Sequence, residues 1–332
     1  MKNTLLFVLP VLVLLSLSAC GKKETEKTSF DFRTTTLSEG DEPWTRPTDC
    51  RANIEQAVCM VKNSENRECR SGAGPYVEEF RRLYDKYPAA LQKMFCSLRK
   101  IYVEDEAVGT AHADSLRHAD GTRAEGANIG IRRSVIDHGV NLATWASWKE
   151  QLSFGGSTNG YGYLPSLPHY VVERGDDTQL FLFTVIAHEF GHLFDFANGV
   201  NSWSGDMPQA TPWHQLSWKE DHPNDANNYS GRSGFCFYWC SGNFLRGEDA
   251  NAIYAGLDRT NFLTAYASKN PGDDFAESTA YYFGSRFLRR RISLDTAQGK
   301  TFPVSEKVDM PQFASKLQFL QNFFGNRDLN YP

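Results

Sequence analysis

The sequence predicts an α+β protein, and three observations carry that reading. Residues 127–137, "ANIGIRRSVID", and 167–175, "LPHYVVERG", have the β-branched and aromatic density of strands. Residues 53–102 hold three stretches with apolar residues spaced by three and four, the period of helices packed on one face. Residues 178–199 then read as one long apolar helix, and mixed strands followed by a buried helix point to an α+β body.

The chain has 332 residues, 41% of them hydrophobic and 13% aromatic, enough for one large domain or two modest ones. Its formal charge of −5 gives no electrostatic footprint for nucleic acid, so no nucleic-acid partner is expected.

Residues 1–19 of "MKNTLLFVLPVLVLLSLSAC" read as a secretory leader: one Lys, an apolar stretch from Leu5 to Leu17, then small residues before Cys20. The apolar run is too short for a comfortable membrane span. The ending Leu17-Ser18-Ala19-Cys20 resembles the bacterial lipobox. That resemblance implies cleavage before Cys20, lipidation of its thiol (a palmitate-type anchor), and attachment to the membrane through Cys20. Gly21, where an Asp would favour the inner membrane, implies the outer one. Residues 20–49 are polar and poor in aliphatics, so they are expected to be a disordered tether.

Residues 50–100 are expected to be a small helical segment, built from 53–69, 75–87 and 89–102, with Pro75 and Pro88 opening the second and third helices. With Cys20 set aside, Cys50, Cys59, Cys69, Cys96, Cys236 and Cys240 remain, and an even number in an exported chain suggests disulfides. Sequence proximity groups Cys236 with Cys240 and the other four among themselves. No C-x-x-C pair supports a zinc ribbon.

Residues 101–332 are expected to form the catalytic body. Strands are predicted over 101–113, 127–137 and 167–175, a helix over 140–152, and a glycine-rich loop over 153–168. The helix 178–199 stops at Asn198-Gly199. An insert at about 200–258 carries Trp203, Trp213, Trp218 and Trp239, read mainly as anchors for a long loop.

Chemistry concentrates in "AHEFGHLFDF", residues 187–196. A helix turns about 100° per residue, so His188 and His192 lie about 40° apart on one face, one turn separate. Two imidazoles so placed can clasp one cation, while Glu189 can take a proton from metal-bound water. Phe190, Gly191, Leu193 and Phe194 surround them, and polar groups in such surroundings cost several kcal/mol unless a metal or partners compensate. Catalytic zinc takes three protein ligands and a water. The metzincin continuation fails, because positions 195 and 198 are Asp and Asn. Downstream candidates for the third ligand are His214, His222, Asp273, Asp274 and Glu277. Glu277 is favoured, as a carboxylate on the apolar face of "FAESTAYYF".

With "HEFGH" and "FAESTA" in place, the chain resembles the zincin metallopeptidases, gluzincin branch, in order of elements over residues 100–290. The resemblance implies a zincin-like fold: a twisted sheet with an edge strand above the cleft, the active-site helix and a helical C-terminal subdomain. It implies one zinc ion, Zn2+, held by His188, His192 and Glu277, with Glu189 as general base, in a metalloendopeptidase acting on peptide or protein substrates in the envelope or outside the cell. No partner protein can be named. Asp195 is a candidate to orient a ligand histidine. His222, Tyr281, Tyr282, Tyr266 and Tyr229 are candidates for stabilising the oxyanion. The strand ending in "HYVVERG" is a candidate edge for an extended peptide. Two further readings share the motif: a noncatalytic zinc-binding envelope lipoprotein and a cell-wall peptide hydrolase.

Overall fold

A computed structural model describes residues 32–38, 41–107, 109–157, 160–204, 207–238, 240 and 242–332. The leader, Cys20, the tether as far as Asp31, and Trp239 lie outside the described residues.

The chain enters as strand β1 (Phe32–Thr36), followed by α1 (Cys50–Ala57), β2 (Val58–Val61), α2 (Gly74–Lys86), α3 (Ala89–Met94) and β3 (Leu98–Glu104). Then come β4 (Ala111–Arg117), β5 (Arg123–Arg132), α4 (Arg133–Asp137), α5 (Leu142–Gln151), β6 (His169–Val172) and the long α6 (Thr178–Asn198). The region after α6 holds the two-residue strands β7 (Trp203–Ser204), β8 (Met207–Pro208), β9 (Trp218–Lys219) and β10 (His222–Pro223). It also holds α7 (His214–Ser217) and α8 (Ala250–Asp258). Helix α9 (Pro271–Phe283), strands β11 (Ile292–Asp295) and β12 (Thr301–Pro303), and α10 (Ala314–Gly325) complete the fold.

The main sheet is mixed, in the order β1-β4-β5-β3-β2, with β4 and β5 antiparallel and the other neighbours parallel. A smaller antiparallel sheet runs β12-β11-β6. Mixed sheet and helices together make the α+β architecture expected from the sequence. Three disulfides close it: Cys50–Cys96, Cys59–Cys69 and Cys236–Cys240, the last being the local pair that sequence proximity selects.

Several local expectations are corrected. Part of the stretch expected to be a disordered tether is β1, because the outer edge of β4 offers unsatisfied N–H and C=O groups to a Thr-rich segment. Residues 41–49 are also packed, with the Arg99 guanidinium 4.8 Å from the Trp44 ring centroid. The helix expected over 53–69 ends at Ala57, and the apolar "VCMV" that follows pairs parallel with β3. The helix over 89–102 stops at Met94 and gives way to β3, whose Leu98, Ile101 and Val103 are buried. The strand predicted over 101–113 is two strands separated by a turn, and the one over 127–137 passes into α4 at Arg133.

Helix α6 is the axis of the core. Asp177 caps its start, accepting from the Leu180 N–H at 2.7 Å, and Gly199 ends it in the left-handed conformation at φ 62°. Between them the side chains from Leu180 to Phe183 and from Val185 to Asp195 are all buried. A helix apolar on every side must be enclosed, and this one lies between the sheet at β4 and helix α9. In the insert, Trp213 and Trp218 serve as anchors: both are buried, Trp213 against Phe275 and Phe319, Trp218 against Phe262.

Candidate metal centre

Two helices build the site. On α6, His188 and His192 turn the same way, and their Nε2 atoms lie 3.1 Å apart. Helix α9 begins at Pro271, where the Asn270 side chain accepts from the Asp273 N–H at 2.8 Å. The two helices approach closely because position 191 has no side chain: a Cβ there would fall 2.6 Å from Ala276 Cα. Ala276 lies between Asp273 and Glu277, so this crossing brings both carboxylates to the histidines.

Asp273 takes the position facing both rings. Its Oδ1 is 3.6 Å from His192 Nε2 and 3.8 Å from His188 Nε2, too long for hydrogen bonds, and it accepts none despite being 4% exposed. Ligand atoms of His188, His192 and Asp273 all lie within 4.8 Å of one another. Tetrahedral zinc with Zn–N bonds of about 2.0–2.1 Å separates neighbouring donors by about 3.3 Å, so the imidazole pair has the right spacing. A buried carboxylate oxygen without a donor, aimed at two imidazole nitrogens, is the donor set such a cation requires.

Glu277, the third ligand favoured on the sequence, stands elsewhere. Its Oε1 is 3.0 Å from Nδ1 of His188, behind the ring, and Oε2 accepts from Thr264 Oγ1 at 2.7 Å. An ionised carboxylate at that distance favours the tautomer with the proton on Nδ1, which leaves Nε2 to face the cation. The preference for Glu277 came from its apolar surroundings, which do not distinguish a ligand from the partner of a ligand. Asp273 and Glu277 are four apart on their helix, as His188 and His192 are on theirs, so the spacing puts both carboxylates on the face toward the histidines but does not say which of them meets the cation.

Burial pushes both carboxyls toward higher pKa, but the neighbouring cationic and donor groups outweigh it. Asp273 is held below the ordinary carboxylate range by His192, His188 and Lys149, and Glu277 by His188, Lys149 and Thr264. Both are therefore ionised at neutral pH, as metal ligation and histidine orientation need.

Asp274 points the opposite way. Lys316 Nζ donates to its two oxygens at 2.6 and 2.8 Å, and Trp218 Nε1 donates to Oδ2 at 3.0 Å. This buried clamp ties α9 to α10 and to the insert. Asp195 accepts from the Asn201 N–H and Nδ2, both at 2.6 Å, which fastens the chain leaving α6. Burial raises its carboxyl to about 6 against the pull of Asn201 and His192.

A recess of about 350 Å³, counted to its mouth, opens beside His188, Glu189 and Glu277. Thr110, just before β4, and Ala111, its first residue, border it, so the strand flanking the site is β4 and not β6, which pairs with β11 in the smaller sheet. Among the candidate oxyanion donors, Tyr266 reaches this recess, its ring centroid 5.8 Å from that of His188. Tyr281 lines a separate cavity, Tyr282 stacks on Phe324, and Tyr229 pairs with Ser268 at 2.9 Å. His222 is exposed beside Asp221, and His214 is bound to the Glu220 carbonyl at 2.7 Å. Lys149, in the wall of the recess, was not singled out from the sequence, because it reads as an ordinary polar position in "WASWKEQL".

No described protein family matches the chain, and no curated protein is similar to it. Among solved structures, a "putative zinc-binding metallo-peptidase" from Bacteroides caccae is similar over 85% of this chain and 89% of its own, at 11% identity and a TM-score of 0.33. The likeness is faint, and the chemistry of the site rests on the residues themselves.

Proposed function

We propose that this protein is a zinc-dependent metallopeptidase in which His188, His192 and Asp273 hold one Zn2+ and Glu189 is the general base. The observation that carries the reading is Oδ1 of Asp273, a buried carboxylate oxygen that accepts no hydrogen bond and faces paired imidazoles, while Oδ2 accepts from Asn270 Nδ2 at 2.5 Å. When bound, the ion would polarise the scissile carbonyl and acidify a water. Glu189 borders the recess, takes the proton of the attacking water and returns it to the leaving amine. Glu277 fixes the tautomer and orientation of His188. Tyr266 lines the same recess, and its phenol would be the donor to the carbonyl oxygen as charge develops there. In this reading an extended peptide lies along the entry to β4 at Thr110–Ala111.

The leader, the lipobox-like ending at Cys20 and the three disulfides support an exported protein, lipid-anchored in the bacterial envelope, with peptide or protein substrates there. The test is zinc content and casein cleavage for wild type and Glu189→Gln, with purified peptidoglycan digested in parallel. Full zinc in both and cleavage only by wild type is expected. Unchanged cleavage by Glu189→Gln would remove the mechanism. Zinc bound with no hydrolysis by either protein would favour a noncatalytic zinc-binding lipoprotein.

A further inference from the structure

We propose that Lys149 selects substrates that carry a carboxylate beside the scissile bond, an inference that rests on the metallopeptidase reading. Lys149 lies in the last turn of α5 and is only 7% exposed, a costly place for an ammonium. Aromatic faces hold it. Its Nζ is 3.1 Å from the ring centroid of Tyr266, 5.1 Å from Trp145, 5.7 Å from Phe237 and 5.8 Å from Tyr238. The same lysine helps line the recess that His188, Glu189 and Glu277 open into. A fixed positive charge thus stands in a dehydrated wall beside the proposed reacting centre, where a charge interacts more strongly than in water.

Against burial, which raises them, its charge already acts on the carboxylates nearby, pulling the pKa of Asp273, Glu277 and Glu150 downward. Glu277 is engaged with His188 and Thr264, and Asp273 faces the imidazole pair. With a dication bound, the ion and Lys149 together balance Asp273, Glu277 and Glu189, and the count holds while Glu150, whose carboxyl is raised to about 7, keeps its proton. An acidic side chain, or the terminal carboxylate of a short peptide, therefore meets a locally neutral wall with an ammonium in it. Without Lys149 it would meet a net negative one. A lysine side chain in the substrate would instead be brought against a like charge.

The experiment compares peptides identical except for Asp or Glu, Asn or Gln, or Lys on either side of the cleaved bond. Wild type, Lys149→Met and Lys149→Arg are assayed as zinc-loaded full chains, with melting temperature and zinc content recorded for each. Wild type is expected to favour the acidic peptides by about tenfold or more in kcat/KM, the scale of one charge-assisted hydrogen bond. Lys149→Met should lose most of that preference, chiefly through KM, and Lys149→Arg should keep part of it. An acidic preference that is absent in wild type or persists in Lys149→Met overturns the proposal. So does an equal fall of kcat for every peptide, which would assign Lys149 to chemistry or packing. If Lys149→Met fails to fold, Lys149→Arg and wild type decide, since a preference indifferent to the Arg replacement and to salt also overturns it. Binding of the uncleaved acidic and amide peptides to zinc-loaded Glu189→Gln, by calorimetry, separates this question from catalysis. Tighter acidic binding with no turnover by wild type supports Lys149 while removing the peptidase reading, and equal binding rejects Lys149 whatever the turnover.

Discussion

Gly191 of α6 faces Ala276 of α9 so closely that a methyl group at position 191 would lie 2.6 Å from the Ala276 Cα. In an exposed helix Gly→Ala gains about 1 kcal/mol from propensity. Here overpacking costs about 1–3 kcal/mol, and that term should win because the obstructing atom is backbone. Gly191→Ala is expected to lower stability in urea unfolding and to weaken zinc binding, since the crossing sets the distance from Asp273 to the histidines. A gain in stability with unchanged zinc affinity would show that the helices can slide apart freely.

Asp273 and Glu277 should separate in a zinc competition titration. Loss of a group that orients a ligand histidine typically weakens metal binding by roughly 10- to 100-fold, the effect expected of Glu277→Gln. Asp273→Asn should weaken it further, since it removes a donor atom from the cation itself. The reverse order would make Glu277 the third ligand and Asp273 its support.

The Asp274–Lys316 pair is fully buried, with Nζ also donating to the Asn261 carbonyl at 3.0 Å. Removing one partner strands a charge. Lys316→Met alone should therefore cost about 3–5 kcal/mol. The double variant Asp274→Leu/Lys316→Met should recover much of that loss, read as midpoints of urea unfolding. A single variant as stable as wild type would mean that water reaches Asp274.

Glu150 supplies a pH dependence. Burial raises its carboxyl to about 7, against the pull of the Tyr254 hydroxyl, which donates to Oε1 at 2.5 Å, and of Lys149. The folded state thus holds this proton more tightly than the unfolded chain, whose carboxyl has the ordinary value of 4.5. Its stabilising contribution is complete below 4.5 and is lost as the pH rises through 7. Relative to Glu150→Gln, the metal-free wild type should lose up to about 3 kcal/mol of stability between pH 4.5 and pH 8. Parallel pH profiles for the two proteins would contradict a buried, protonated Glu150.

Much of this was legible in the chain. The pairing of His188 with His192 follows from their four-residue spacing on a helix, and the end of α6 follows from Asn198-Gly199. The choice between Asp273 and Glu277 was not legible, because it depends on how α9 is rotated against α6. That rotation is set by the contact at Gly191 and by the Asp274–Lys316 clamp, pairs distant in sequence. Residues 53–102 misled for a related reason: "VCMV" and "LRKIYVE" become strands because each lies beside the other in the sheet, and tertiary pairing outweighs a helical spacing. Lys149 could not be distinguished, since its aromatic surroundings are assembled from α5, the insert and the approach to α9.

Strand β1 has a mechanical consequence. It lies parallel to β4 from Phe32 opposite Ala113 to Thr36 opposite Arg117. Tension along the chain preceding Phe32 would load this ladder in shear, so that its hydrogen bonds share the force instead of opening one after another. The strand receiving that load is the one whose first residue borders the recess. A pull on the N-terminal side would thus be felt first at the rim of the cleft.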